Sequence, residues 1–348
     1  MKILYAIQGT GNGHLSRSMD IVPLLQKKAE VDVLVSGIQG DLKLPFPIKY
    51  QFKGLSFIFG KSGGVDMYNT FIKLKSKRLY NEIKQLPVEN YDLVINDFEP
   101  VSAWACYSAD KECISLSHQS AVISSKSPKP NNFDLIGQMV LRYYAPSTSQ
   151  YGFHFERYDK NIFTPVIRQQ IRAIKTSVKD HYTVYLPAYD DERILKSLSR
   201  FNGVKWQVFS KHNTKPIIGK NISIMPIQND LFIESLASSK GVICGAGFEA
   251  PAEALFMQKK LLVIPMKGQY EQHCNAAALS LLGVPVIKSL KKKHNDIIEN
   301  WLLSDKRVEV DYPDITERIL EQILTKHGQQ HSSLDIASKW DKELEMEL

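Results

Sequence analysis

Four cysteines in 348 residues (Cys106, Cys113, Cys244 and Cys274) stand in no C-x-x-C spacing, so neither a zinc cluster nor a disulfide framework is indicated. A reducing cytoplasmic setting is the default expectation. No apolar run reaches the roughly 20 residues needed to span a bilayer. Nor is a secretory leader expected, because the apolar run Ile3–Ile7 is too short for one and glycines follow at once. The glycines are not those of a P-loop, since no Gly-Lys-Ser/Thr follows at the required spacing. Basic charge is in excess, net +7, without any nucleic-acid recognition motif beside it. Much of that excess lies in two stretches, Lys73, Lys75, Lys77 and Arg78, and Lys288, Lys291, Lys292 and Lys293. Such stretches fit a solvated surface, or a face toward an anionic membrane or anionic acceptor.

An apolar fraction of 43% and a charged fraction of 23% describe a globular chain, long enough for two domains. Strand-like runs in the first half are Ile3–Ile7, Val31–Ser36, Ile48–Phe52, Leu93–Asn96 and Cys113–Leu116. Helical patterns cover Leu15–Lys28, Tyr68–Leu86 and Val101–Ala109. A Ser/Lys/Pro-rich loop, Ser124–Asn132, and an aromatic-rich stretch, Tyr143–Phe163, follow. The alternation then resumes with strands Tyr182–Leu186, Lys205–Phe209, Ile222–Met225, Gly241–Cys244 and Leu261–Ile264. Between them lie helices Glu192–Arg200, Leu231–Ser238 and Phe248–Met257. Two α/β series in tandem predict two Rossmann-like domains facing each other across a cleft, divided at 1–164 and 165–330. Asp314–Leu324 reads as a helix, and Asp335–Leu348 within 331–348 as another that packs back on the first domain. Pro23 is expected to kink or end the first helix.

Three constellations carry chemistry. Gly9-Thr10-Gly11-Asn12-Gly13-His14 joins the first strand to the first helix, letting backbone approach a ligand and placing a histidine at the helix start. As a dinucleotide fingerprint it is imperfect: the third glycine is one position early, and Asp32 sits at the wrong end of the next strand. A plain strand–helix turn is the alternative. The second constellation is Gly245-Ala246-Gly247 before a helix opening at Phe248, an anion pocket suited to a diphosphate. Glu249 and Glu253 share a face of that helix. Glu253 is placed to accept ribose hydroxyls, and Glu249 reads as solvated. The third is Pro265 to Ala276, where Glu271 and Gln272 offer hydrogen-bonding groups to sugar hydroxyls. Asp190-Asp191 reads as solvated surface, and no metal ligand set is assigned.

Taken in order, these motifs resemble the donor site of GT-B glycosyltransferases, with the UDP-glycosyltransferases and the lipid I N-acetylglucosaminyltransferase as nearest likenesses. The resemblance covers residues 1 to about 280. It implies that His14 is the general base and that Asp97 orients it. Gly245, Ala246, Gly247 and Phe248 would hold the diphosphate, Glu253 the ribose, and Glu271 with Gln272 the donor sugar. Asn275 would close the motif, and Ile227 would lie in the loop that reads the base. Gly9, Thr10, Gly11, Asn12, Gly13 and His118 would line the acceptor side, with a structural histidine as the alternative for His118. Where relatives carry a Gly-Ser phosphate loop this chain has Tyr185 to Tyr189, leaving Ser210, Lys211 or Arg193 as substitutes.

The activity so implied is transfer from a nucleotide-diphosphate sugar, a UDP-sugar by resemblance, to a hydroxyl. It would be inverting and metal-independent, without a cofactor, in the cytoplasm or peripheral at the inner membrane face. The alternatives are an epimerase of the same fold and a non-catalytic nucleotide-sugar-binding protein. A lipid-linked or membrane-surface glycan and a soluble metabolite both fit as acceptor.

Overall fold

The structure, a computed structural model, describes residues 1–37, 43–55, 76–131, 134–328 and 339. Two sheets organise the chain. Strands β1 (Lys2–Gln8), β2 (Glu30–Ser36), β3 (Tyr50–Phe52), β4 (Leu93–Asp97), β5 (Cys113–Ser117), β6 (Ser149–Phe153) and β7 (Ile162–Phe163) form the first. Their order is β3-β2-β1-β4-β5-β6-β7, and every pair is parallel. Ile3, Leu4, Tyr5, Ala6 and Ile7 have no exposed surface. An unbroken apolar run is what a central strand needs when helices cover both faces of its sheet.

The helices of this half are α1 (Asn12–Gln26), α2 (Ser76–Gln85), α3 (Pro100–Ser108), α4 (His118–Ile123) and α5 (Leu135–Tyr143). Helix α1 starts three residues earlier than expected, so Asn12, Gly13 and His14 belong to its first turn. Pro23 does not end it, since the helix runs on to Gln26. An internal proline costs about 3 kcal/mol. The fully buried Ile21, Val22 and Leu25 each return roughly 1.5–3 kcal/mol, which decides the balance. Strands β6 and β7 lie in the aromatic-rich stretch, where no strand was expected. The expected helix Tyr68–Leu86 falls partly outside the described residues.

A connector with α6 (Gln169–Ala173), anchored by the buried Val166, Ile167 and Ile171, leads to the second sheet. There β8 (Tyr182–Tyr185), β9 (Trp206–Ser210), β10 (Ile217–Ile218), β11 (Ile222–Pro226), β12 (Gly241–Gly245) and β13 (Lys260–Ile264) are ordered β10-β11-β9-β8-β12-β13. Only the β10–β11 pair is antiparallel. Helices α7 (Asp191–Leu198), α8 (Asn229–Ser238), α9 (Glu249–Phe256), α10 (Tyr270–Leu281) and α11 (Asn295–Leu303) accompany it. In each sheet the strand order reverses beside its first strand, between β1 and β4 and between β8 and β12. These switch points are where a doubly wound sheet opens a crevice for ligand.

The chain then returns. Helix α12 (Thr316–His327) packs against α1. There Lys28 meets Glu317 and Glu321 at 3.0 and 2.7 Å, and Tyr151 Oη lies 2.8 Å from His327 Nε2. Of 331–348 only Lys339 is among the described residues, with its ammonium 2.6 Å from Glu112; the expected helix Asp335–Leu348 otherwise lies outside them. Among the described residues no helix is long and apolar enough to cross a membrane.

Candidate active site

At the first switch point the glycines have distinct tasks. A Cβ on Gly9 would stand 2.8 Å from Val35 Cγ1, and Gly11 adopts φ +91° immediately before α1. A Cβ on Gly13 would stand 3.3 Å from Glu249 Cγ, so this loop lies directly under the N-terminus of α9 from the other sheet. No side chain caps α1. His14 is therefore held in the first turn of a helix whose end is bare, beside the last residue of β4, with Ile7 in register with Asp97.

The His14 Nδ1–Asp97 Oδ1 separation is 2.8 Å. Arg17, one turn further along α1, reaches the same carboxylate: its Nη2 lies 2.7 Å from Oδ1 and 2.9 Å from Oδ2. The same Nη2 also lies 3.2 Å from His14 Nδ1, while an ionised carboxylate can only accept. At 2.8 Å from Oδ1, Nδ1 carries the ring proton and donates it to the carboxylate, which puts the lone pair on Nε2. Burial alone would push the Asp97 carboxyl up; Arg17 and His14 outweigh it and hold the group below the usual carboxylate range. Phe98, next in the chain, has φ +56°, a strained conformation for a bulky residue. Its ring packs on Tyr144 at 4.8 Å and lies near-parallel to the His14 imidazole at 6.4 Å.

Across the crevice, Arg17 Nη1 meets Glu249 Oε1 at 2.5 Å. Glu249 is thus no solvated helix residue. Burial pushes its carboxyl up to about 7, against the pull of Arg17. His14 Nε2 lies 3.5 Å from Gln119 Nε2, and the same amide donates to Glu271 Oε2 at 3.0 Å. The free ring nitrogen therefore faces a side chain that is itself held by the second half of the molecule.

His118 is the first residue of α4, fully buried, with its imidazole stacked on Phe248 at 3.9 Å and 7°. Its Nδ1 lies 2.7 Å from the Phe153 carbonyl and its Nε2 2.8 Å from Asn275 Oδ1. Burial pushes this imidazole down. Asn275 also donates to the Ala246 carbonyl at 3.1 Å, so both ends of its amide bond to protein. Gln272 Oε1 accepts from the Met266 N–H at 2.8 Å, leaving its NH₂ group for a ligand. Glu253 is buried, with its two oxygens 2.5 and 2.8 Å from Arg168 of the connector. Each oxygen keeps further acceptor capacity. Ile227 sits in the turn between β11 and α8, at the carboxyl end of the second sheet. Arg193 lies over the Tyr189 ring at 5.1 Å, and Ser210 Oγ accepts from the His212 N–H.

Reading the residues alone missed Arg17, Arg168 and the half-buried ion pair of Glu249. The H-x-x-R spacing, which sets His14 and Arg17 on one helix face, was the available signal for the first. Among the described residues no three His, Cys, Asp or Glu side chains converge as a metal site would need.

The model of Glycosyl transferase family 1 matches residues 1–304. The chain belongs to this family. It is a glycosyltransferase, and its two-sheet fold matches GT-B glycosyltransferase structures. A curated relative, an uncharacterized glycosyltransferase of Methanosarcina mazei, is 23% identical over 92% of this chain and 93% of its own. UGT2 of Phytolacca americana, solved with UDP-2fluoro-glucose and pterostilbene, superposes with a TM-score of 0.56 at 13% identity, covering 94% of this chain and all of that one. MurG of Acinetobacter baumannii gives 0.51 at 12% identity, covering 98% and 99%. At these identities the structural likenesses establish the fold.

Proposed function

We propose that this glycosyltransferase takes a UDP-sugar as donor and inverts the anomeric centre, with His14 as general base. One observation carries the reading: the Asp97-bound imidazole presents its free Nε2 toward Gln119 and Glu271, where the two halves of the molecule meet. The acceptor hydroxyl gives its proton to Nε2 while its oxygen attacks the anomeric carbon from the face opposite the leaving group. The bond from that carbon to the diphosphate oxygen breaks, and the diphosphate leaves with the electron pair. Asp97 stabilises the imidazolium that forms and fixes its tautomer. Backbone N–H groups after Gly245, at the start of α9, meet the charge developing on the diphosphate. Glu253 accepts the ribose hydroxyls, Glu271 and the Gln272 amide bind the donor sugar, and the turn at Ile227 faces the base. Gly9 to Gly13 and the His118 region form the acceptor side. The chemistry assigned to these residues uses no resident cofactor or metal, and the nucleotide-sugar is a co-substrate.

The test is a panel of UDP- and dTDP-sugars in a melting-temperature screen, followed by His14→Ala assayed with the donor that stabilises most. Transfer should fall by about 10²–10⁴-fold, while the melting shift given by donor is retained. Full activity in the variant would sink the base assignment; stabilisation by dTDP-sugars alone would overturn the UDP preference.

A further inference from the structure

Arg17 is 2% exposed and is the central charge of a group drawn from both halves of the molecule. Its Nη2 holds both oxygens of Asp97, on the first sheet, and its Nη1 holds Glu249, the first residue of α9 on the second. Its plane lies over the Phe153 ring at 5.5 Å, which fixes the fork from the side. The charges form a closed account. With Glu249 ionised, two carboxylates and one guanidinium sum to a single negative charge when the imidazole is neutral. Taking a proton onto His14 brings the group to zero. Without Arg17 the two acids would stand together unopposed; without Glu249 the group would be neutral before the proton arrives and positive after it.

The contact to Glu249 exists only when the halves are together, and Gly13 supplies the room for it: a Cβ there would meet Glu249 Cγ at 3.3 Å. We infer that Arg17 is a positioning residue that ties the His14–Asp97 pair to the closed arrangement, through its second ion pair with Glu249. The inference rests on His14 being the base. Closure then does more than exclude water: it completes the charge arrangement that receives the acceptor proton. Tyr5, His14, Asp97, His118, Arg168 and Glu253 are the other titratable groups coupled to Arg17 or Glu249.

The experiment is a double-mutant cycle on Arg17→Met, Glu249→Gln and the pair, with Arg17→Lys and His14→Ala in the same series. UDP release from UDP-glucose and UDP-N-acetylglucosamine, with water as acceptor, is followed against pH, and each protein is melted. Arg17→Met should lower kcat by about a hundredfold and Glu249→Gln by about tenfold, with the pair no worse than Arg17→Met, because the two act as a unit. Donor KM should stay within about threefold, and Arg17→Lys should restore part of kcat. The acid limb of the kcat profile should move up by about one pH unit or more in Arg17→Met, since buried Asp97 then lacks its main counter-charge. Additive losses, a raised donor KM with kcat unchanged, or a loss uniform across pH overturn the inference. His14→Ala retaining full release overturns the base reading instead. Should wild type release no UDP, the donor reading fails, and the melting cycle decides the coupling: additive melting losses refute it.

Discussion

Asp97→Asn removes one charge and almost no volume, from a side chain with no exposed surface. In the wild type the carboxylate accepts from His14 at 2.8 Å and from Arg17 at 2.7 and 2.9 Å. In the proposed mechanism His14 takes the acceptor proton, and a positive charge then grows about 4 Å from the centre of the Asp97 charge. At an effective dielectric of about 20 that attraction is worth about 4 kcal/mol, or about a thousandfold in rate. The amide also offers Nδ2 hydrogens, which can turn the ring so that the lone pair faces Asn and the proton faces the cleft. Both effects act on kcat, and neither touches the donor side. Stability falls too, because Arg17 loses a charged partner while still buried, at a cost of about 3–5 kcal/mol. Release of UDP at saturating donor, measured beside a melting curve, separates the two. A folded Asp97→Asn protein with kcat within tenfold of wild type would refute the electrostatic argument.

Further expectations concern binding and stability. Glu253→Gln should weaken UDP binding about tenfold in calorimetry with little change in kcat at saturation, since the carboxylate that holds Arg168 is the one proposed to take the ribose hydroxyls; unchanged affinity removes Glu253 from the donor site. Gly152→Ala should destabilise by about 1–3 kcal/mol in urea melts, because a Cβ there would lie 2.5 Å from the Ala121 amide nitrogen; an unaffected midpoint contradicts that packing. Glu112 is held down to about 2: burial pushes it up, but His327 and Lys339 outweigh that. Its folded value is depressed, so its contribution is present above pH 4.5 and is lost as pH falls toward 2. Glu112→Gln should flatten the acid-unfolding curve in that window, and a curve superposing on wild type counts against the ion pair.

The central strands were legible because a strand buried on both faces must be apolar throughout, as Ile3 to Ile7 and Leu261 to Ile264 are. Strand β6 was not, because Ser149-Gln150-Tyr151-Gly152-Phe153 is broken by polar residues and a glycine whose reason, the approach of Ala121, lies 31 positions away. His14 and the Gly245–Gly247 loop stand at carboxyl ends of strands, where chain order alone locates them. Glu249 and Arg168 escaped for a common reason. A charged residue on a helix or connector is ordinarily solvated, and what pairs with each of these is a group from a distant part of the chain. The H-x-x-R spacing of His14 and Arg17 placed both on one face but did not name Asp97 and Glu249 as their partners.

The return of the chain through α12 has a mechanical consequence. The backbone passes between the halves twice, once ahead of α6 and once ahead of α12, and the two passages are laced together. Gln169 Nε2 donates to Asp314 at 2.6 Å, and Arg172 Nη2 to the Tyr312 carbonyl at 2.9 Å. Two anchored strands leave the halves fewer degrees of freedom than a single tether would. Sliding and full separation are opposed, and swinging about the laced pair is the motion that stretches neither. Like a door on two pins, a second half moving in this way would meet Arg17 in one orientation. Cutting the chain after residue 304, where the family match ends, would remove one pin.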